Sequence, residues 1–380
     1  MSHDRLRILH VSEVHWGGVV SLLDHFVPQQ VGSGHEVHVL APSSMPTWPG
    51  AQHHRWDVER AHPRTAVWAL HELRRTVRTV QPDVMHLHSF VAGLLGRLPG
   101  MPTAHDHVPV VYQPHAWSTD LFTVPALAWA VRTAERAAAP RTDLLVANCH
   151  DEVVAGTRFG VELPSRELGV AVDLERFQPI PEAERRRQRE ALGIDAEHVV
   201  LVLGRIAHQK GQDLLVPAWE HHRPEHALLA LVGPGDTRSL VSLAPTQWGR
   251  TIRAAGEAKD VRSWLWAADV LVLSSRYETV ALAVAEAMAT GLPVVATAVD
   301  GVPGVLAGGH LPRAGSVVGV GDMSSLLRET SRRLQDRDLW RRESHAARLR
   351  AEQFFRPEVV AQRLERAYRD AIEMSWARAS

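Results

Sequence analysis

Short runs of nearly continuous hydrophobic residues alternate along this chain with longer stretches in which apolar positions recur every three or four residues. The first pattern is that of strands covered on both faces, the second that of amphipathic helices lying over them. Their alternation predicts parallel sheet with crossover helices. In the first half the predicted strands are 6–11, 36–40, 84–88, 109–112, 144–148 and 167–170, with helices over 19–31, 67–80 and 126–138. The series restarts with strands at 199–203, 228–232, 251–254, 270–273 and 293–296, and the chain ends in a helical stretch from 357 to about 376. Between the two series lies DLERFQPIPEAERRRQREALGI, where prolines give way to a charged helix.

A chain of 380 residues exceeds what one core usually supports. The expected division is 1–180, 181–356 and a final helix, 357–380, packing back on the first domain. The fold class is α/β, with two Rossmann-like, doubly wound domains facing across a cleft. Ligands of such sheets bind beyond the carboxyl ends of the strands.

Charge narrows the partners. Lys plus Arg number 42 against 43 Asp plus Glu, so nothing favours nucleic acid as the main partner. The single cysteine, Cys149, excludes a disulfide framework and a multi-cysteine zinc site, and fits a reducing compartment. The N-terminus is too polar for a secretion signal, and no run approaches the roughly 20 apolar residues that span a bilayer. The expectation is a cytoplasmic protein, with room for peripheral membrane contact.

Candidate chemistry sits where strands end. The first strand runs into SEVHWGGV; Gly17 and Gly18 would let a phosphate approach the amides of a helix entrance, or would simply make a tight turn. The dinucleotide fingerprint G-x-G-x-x-G is missing, which counts against a nicotinamide enzyme. The second series opens with VLVLGRIAHQKGQDLL. Arg205 and Lys210 at a strand end suit a diphosphate, the arginine as a bidentate fork and the lysine as a mobile point charge. In SSRYETVALAVAEAMATGLPVVAT a helix is expected from near Thr279. Glu278 would then precede it, Glu286 would lie two turns inside, and the amides of Thr279, Val280, Ala281 and Leu282 would be unpaired donors for sugar hydroxyls or phosphate. An acid within AVAEAMA would need a partner if buried.

His86-x-His88 and His105-x-His107 have the spacing for a chelate on a strand face, yet no D-x-D element stands at a strand end beyond a poor one around Asp106. Trp16 and Trp117 could stack on a sugar or pack in the core.

Taken in order, HVSEVHWGGV, HEVHVLAP, PDVMHLHS, VYQPHAW, GVAVDLERFQP, LGRIAHQKGQDLL, LLALVGPGD, the E-x7-E segment and GSVVGVGD resemble the family 4 retaining glycosyltransferases of GT-B fold, from about residue 6 to 355. The resemblance implies that Glu278 and the amides after it hold the donor sugar and that Glu286 binds the nucleotide ribose. It implies that Arg205 and Lys210 bind the diphosphate, that Gly17 and Gly18 approach it, and that His115 lies near the sugar. It further implies same-face transfer from a nucleotide-sugar, a UDP-sugar by default, without a metal or other cofactor. An acidic residue that the family often carries after a Gly-Gly pair is replaced by Gly304, so no role is carried over there.

The acceptor stays unidentified, a small molecule or a glycan, with Glu13, His15, Trp16 and Trp117 as candidates to bind it. The alternatives are a GT-B epimerase acting on a nucleotide-sugar and a non-catalytic nucleotide-sugar binding protein.

Overall fold

The computed structural model describes residues 5–58, 63–101, 108–115, 117, 124–278 and 281–379. It divides into two compact units, Met1–Ala171 with Pro357–Ser380, and Val172–Arg356. The division falls at 171/172, ahead of the expected 180/181, and Val172 N–H bonds Phe355 O within the second unit.

In the first unit the strands are β1 (Arg7–Ser12), β2 (Glu36–Ala41), β3 (Gln52–Arg55), β4 (Val84–His88), β5 (Val110–Gln113), β6 (Leu144–Ala147) and β7 (Ser165–Glu167). They form one parallel sheet in the order β3-β2-β1-β4-β5-β6-β7. β7 corrects the expected strand 167–170: pairing ends where Leu168 turns inward. β3, QHHR, was not expected, since a partly exposed strand of polar residues carries no apolar run.

Helices cover both faces. On one, Leu22 and Phe26 of the helix Gly18–Gly32 pack with Val360, Leu364, Tyr368 and Ala371 of the helix Pro357–Ala379. On the other, Leu73 and Val77 of the helix Pro63–Val80 and Trp56 meet Leu9, Val11, Met85 and Leu87.

The second unit repeats the plan with β8 (His198–Leu203), β9 (Ala227–Val232), β10 (Ile252–Gly256), β11 (Val270–Leu273), β12 (Val294–Thr297) and β13 (Gly315–Val318), ordered β10-β9-β8-β11-β12-β13 and parallel throughout. Its core joins Val200, Val202, Leu229 and Val272 to Leu215 and Trp219 of the helix Gln212–His222.

In each sheet the order of strands reverses beside the first one, between β1 and β4 and between β8 and β11. That is the switch point where the chain leaves the two neighbouring strands in opposite directions and opens a crevice at their carboxyl ends. Most of the site residues discussed below lie on a segment leaving such an end or an adjacent one, while His10, His86 and His88 lie within β1 and β4.

Candidate active site

In the second unit two loops meet at the switch point. After β8 the chain passes Gly204 (φ 151°) and Arg205, makes a short turn His208–Lys210, and enters the next helix through Gly211 at φ 68°. A Cβ on Gly211 would stand 2.0 Å from Ser274 O, so only glycine lets this loop close against the one that follows β11. Arg276 clamps the closure with both nitrogens on Asp213 (2.7 and 2.8 Å) and a bond to His208 O. Gln212 ties the first loop to itself through Arg205 O.

The closure brings together residues 68 apart in the chain. Lys210 Nζ donates to Glu278 Oε1 at 2.7 Å, and Ser275 Oγ donates to the same oxygen at 2.6 Å. Glu278 is 3% exposed; Lys210 is mostly covered as well, so this is a desolvated ion pair with one face toward the strand ends. Among the described residues nothing donates to Glu278 Oε2. Arg205 stands exposed beside the pair's loop.

The helix expected from Thr279 begins at Leu282 and runs to Ala289. Ala281, at φ −78° and ψ 65°, is its cap, and its carbonyl already receives the N–H groups of Val284 and Ala285. The orphan amides of the first turn therefore fall at Leu282 and Ala283, while Thr279 and Val280 lie outside the described residues. Glu286 stands one turn into this helix, not two. It is partly buried, and burial pushes its carboxyl up to about 7, an effect that Arg176 only partly offsets.

In the first unit Gly17 caps the helix Gly18–Gly32 at φ 70° and ψ −147°, a conformation reserved for glycine, and nothing stands within 4 Å of a Cβ placed on Gly17 or Gly18. His15 and Trp16, just before them, are exposed.

Two candidate acceptor residues are buried and bonded within the first unit. Glu13 is 5% exposed and its carboxylate accepts from Val91 N and Ala92 N in the first turn of the helix Ser89–Gly96. Trp117 is 2% exposed, donates to Glu152 O and packs on Phe159 and Gly156. The first closes a helix end and the second fills the core. The pair His105/His107 lies outside the described residues.

His115 follows β5 at φ 57°, unusual for a side chain with a Cβ, and is 9% exposed. Burial pushes its imidazole down to about 3, so near neutral pH it is an uncharged ring that can accept or donate a hydrogen bond but holds no proton to give up as an acid. Its Nε2 lies 2.9 Å from His88 Nδ1. His86, His88 and His10 bring ring nitrogens within 4.8 Å of one another, as a metal chelate would require.

Comparison with known proteins places these features in a lineage. The family model "Glycosyltransferase Family 4" matches residues 16–176 and "Glycosyl transferases group 1" matches residues 197–336. D-inositol 3-phosphate glycosyltransferase of Xylanimonas cellulosilytica is 32% identical over 278 residues, covering 66% of this chain and 65% of that protein. The chain spans less than two thirds of the length of the first curated relatives it matches.

Among solved structures, sucrose-phosphate synthase from Thermosynechococcus elongatus superposes with a TM-score of 0.81 at 20% identity, over 99% of this chain and 100% of that one. The Anabaena protein HepE in complex with UDP-glucose gives 0.77 at 17%, over 95% and 98%. At those identities the likeness shows the fold. No described helix is long and apolar enough to cross a membrane. Two parallel switch-point sheets and two family models matched in chain order lead to one assignment: the chain belongs to the family 4, group 1 glycosyltransferases, of GT-B fold.

Proposed function

We propose that this protein transfers a sugar from a nucleotide-sugar donor, a UDP-sugar, to a small-molecule or glycan acceptor with retention of configuration and without a metal ion. One observation carries the reading. The Lys210–Glu278 pair joins the two most informative sequence elements at the carboxyl end of the switch-point strands.

A glycosyl transfer develops negative charge on the departing diphosphate and positive charge on the sugar ring. Lys210 and Arg205 meet the first and the Glu278 carboxylate meets the second, in a site whose groups are already held in place. Among the described residues of this unit no base is paired to a nucleophile, and same-face attack, the leaving phosphate taking the acceptor's proton, is the mechanism these residues serve best. In the first unit Gly17, Gly18 and His115 are assigned to the donor and His15 and Trp16 to the acceptor. That HepE, which shares this fold, was solved in complex with UDP-glucose supports the choice of nucleotide.

The test is thermal stabilisation by a panel of nucleotide-sugars, followed by detection of UDP release. A donor at about 100 times its dissociation constant adds roughly 2.7 kcal/mol to stability. No stabilisation by any UDP-sugar would remove the proposal, and isomerisation of the donor without acceptor would replace it with an epimerase.

Two further results are expected. Activity should survive exhaustive EDTA treatment, because protein cations supply the charge a metal would bring. Loss of activity restored by Zn²⁺ or Mn²⁺ would make the His10, His86 and His88 cluster a metal centre.

The second result concerns pH. With Glu286 raised to about 7, its carboxylate form, the one that accepts ribose hydroxyls, fills in as pH rises through that value. UDP affinity should therefore climb between pH 6 and 8 by more in the native protein than in Glu286→Gln. Calorimetry across that range isolates the carboxyl, since the titration of the diphosphate itself is common to both. Parallel profiles would show that Glu286 does not touch the nucleotide.

A further inference from the structure

A buried chain of polar side chains crosses the first unit, and its hydrogen-bond direction can be deduced from one end. The backbone N–H and the side-chain Nδ2 of Asn148 both lie against Glu152 Oε2, at 2.7 and 3.2 Å. A backbone N–H can only donate, so this oxygen accepts, and Asn148 must turn its amide nitrogen toward it. Asn148 Oδ1 then accepts from Gln113 Nε2, 3.0 Å away. That leaves Gln113 Oε1 for His86. Gln113 Oε1 and His86 Nε2 are both buried without a partner of good geometry, yet the Gln113 side chain is close enough to His86 to favour its protonated form. These two buried atoms would satisfy one another with the imidazole as donor.

The rest follows link by link. His86, protonated on Nε2, accepts at Nδ1 from the Tyr368 hydroxyl at 2.8 Å. Tyr368, having donated there, accepts from Gln30 Nε2 at 3.3 Å. Gln30 thus faces His10 with Oε1, and His10 Nε2 donates to it at 2.8 Å. His10 Nδ1 accepts from His88 Nε2 at 2.9 Å, and His88 Nδ1 accepts from His115 Nε2 at 2.9 Å.

Each member is at most 9% exposed, and burial keeps the imidazoles of His10, near 4, and His115, near 3, uncharged at neutral pH, with His86 and His88 lower than usual for the same reason. Every ring therefore has one N–H and one lone pair, as the deduction needs. The amides of Gln30, Gln113 and Asn148 do not take up and pass on protons, so the chain orients groups and conducts nothing.

We propose that this chain, anchored at Glu152, holds His115 as the Nε2–H tautomer and presents its Nδ1 as a hydrogen-bond acceptor for a hydroxyl of the transferred sugar. Gln30 and Glu152 are then positioning residues acting through His10, His88 and the other links. The proposal deepens, and rests on, the assignment of His115 to the donor.

Nitrogen-15 NMR of the histidine-labelled full chain at pH 7 tests the first half without any ligand. His115 should show a protonated Nε2 and a bare Nδ1. An Nδ1–H tautomer, an imidazolium, or a stoichiometric divalent ion in elemental analysis would overturn the assignment.

Gln30→Leu cuts the chain midway and should leave His115 as a mixture of tautomers. Calorimetry should then find UDP-glucose bound about 2- to 10-fold more weakly than in the native protein, the worth of one neutral hydrogen bond, with UDP affinity unchanged. A single Nε2–H tautomer in the variant, or equal loss of both affinities, would show that the chain does not position His115. Should that variant not fold, Glu152→Gln, which can offer Asn148 either polarity, puts the same question to the anchor. His115→Ala checks the underlying reading separately: unchanged UDP-glucose affinity in that variant would remove the sugar contact whatever the tautomer.

Discussion

Lys210→Ala should lower kcat by a factor of tens to several hundreds. The lysine Nζ sits 2.7 Å from Glu278 Oε1 beyond β8, where the diphosphate is expected to gather charge as the sugar leaves. Removing one preorganised cationic donor typically forfeits about 2 to 4 kcal/mol of transition-state stabilisation. The same change leaves the buried Glu278 carboxylate with the Ser275 hydroxyl but no counter-charge, so the variant should also melt lower. The double variant Lys210→Ala with Glu278→Gln separates the two effects: it should regain stability without regaining turnover. Arg205→Ala, at an exposed position, should lose activity with little change in melting. Steady-state rates at saturating donor decide the matter. If Lys210→Ala keeps turnover within a few-fold of the native protein, the diphosphate is held elsewhere.

Glu278→Gln should be nearly as damaging, and for a different step. Glutamine keeps the shape and can still accept from Ser275, but it brings no charge to the sugar ring or to Lys210. The loss of a charged hydrogen bond is worth about 1.5 to 3 kcal/mol, roughly 10- to 150-fold in turnover. Free UDP, which has no sugar to transfer, should bind about as well as before. Glu286→Gln should behave the other way round, weakening UDP and the intact donor by similar factors, because both carry the ribose. Titrating each variant with UDP and with the donor measures the division directly. Equal damage to UDP binding by both substitutions would mean that the two carboxylates do not serve different ends of the donor.

Most of the strands could be read from the sequence because a parallel strand covered on both faces must be apolar along its length, as HVVLVL and VLVL are. The two edges of the first sheet escaped that logic. QHHR and SRE pair on one side and meet water on the other, so their pairing leaves no hydrophobic trace. The start of the helix at Leu282 was misjudged because TVAL has ordinary helical character and no capping side chain marks Ala281.

At the site, the Arg205, Lys210, Glu278 and Glu286 set was visible as spacing around strand ends, and the fold brings Lys210 to Glu278. Glu13 is ambiguous in the sequence for a physical reason: an acid after a strand can face a ligand or the unpaired amides of a neighbouring helix, and its bonds to Val91 and Ala92 come only with the packing of Ser89–Gly96 against β1. The buried chain to His115 was beyond sequence reading. His86 and His88 stood out as a pair, but Tyr368, His10 and His115 become their partners, and Gln30, Gln113 and Asn148 come beside them, only once β1, β4, β5, β6 and two helices are assembled.

The return of the helix Pro357–Ala379 to the first sheet has a consequence for how the protein is made. Residues 357–379 leave the ribosome only after the whole of Val172–Arg356, so the second unit can fold during synthesis while the first still lacks the helix that covers Ile8, Phe26, Val84 and Val146. Until Leu364 and Tyr368 arrive, those apolar side chains stand open to water and to chaperones. The histidine chain likewise waits for the Tyr368 hydroxyl, so a nascent protein already able to hold the nucleotide would still lack an oriented His115. A ribosome stalled before residue 357 would carry a chain whose first sheet is uncovered on that face and whose His86 lacks its Tyr368 partner.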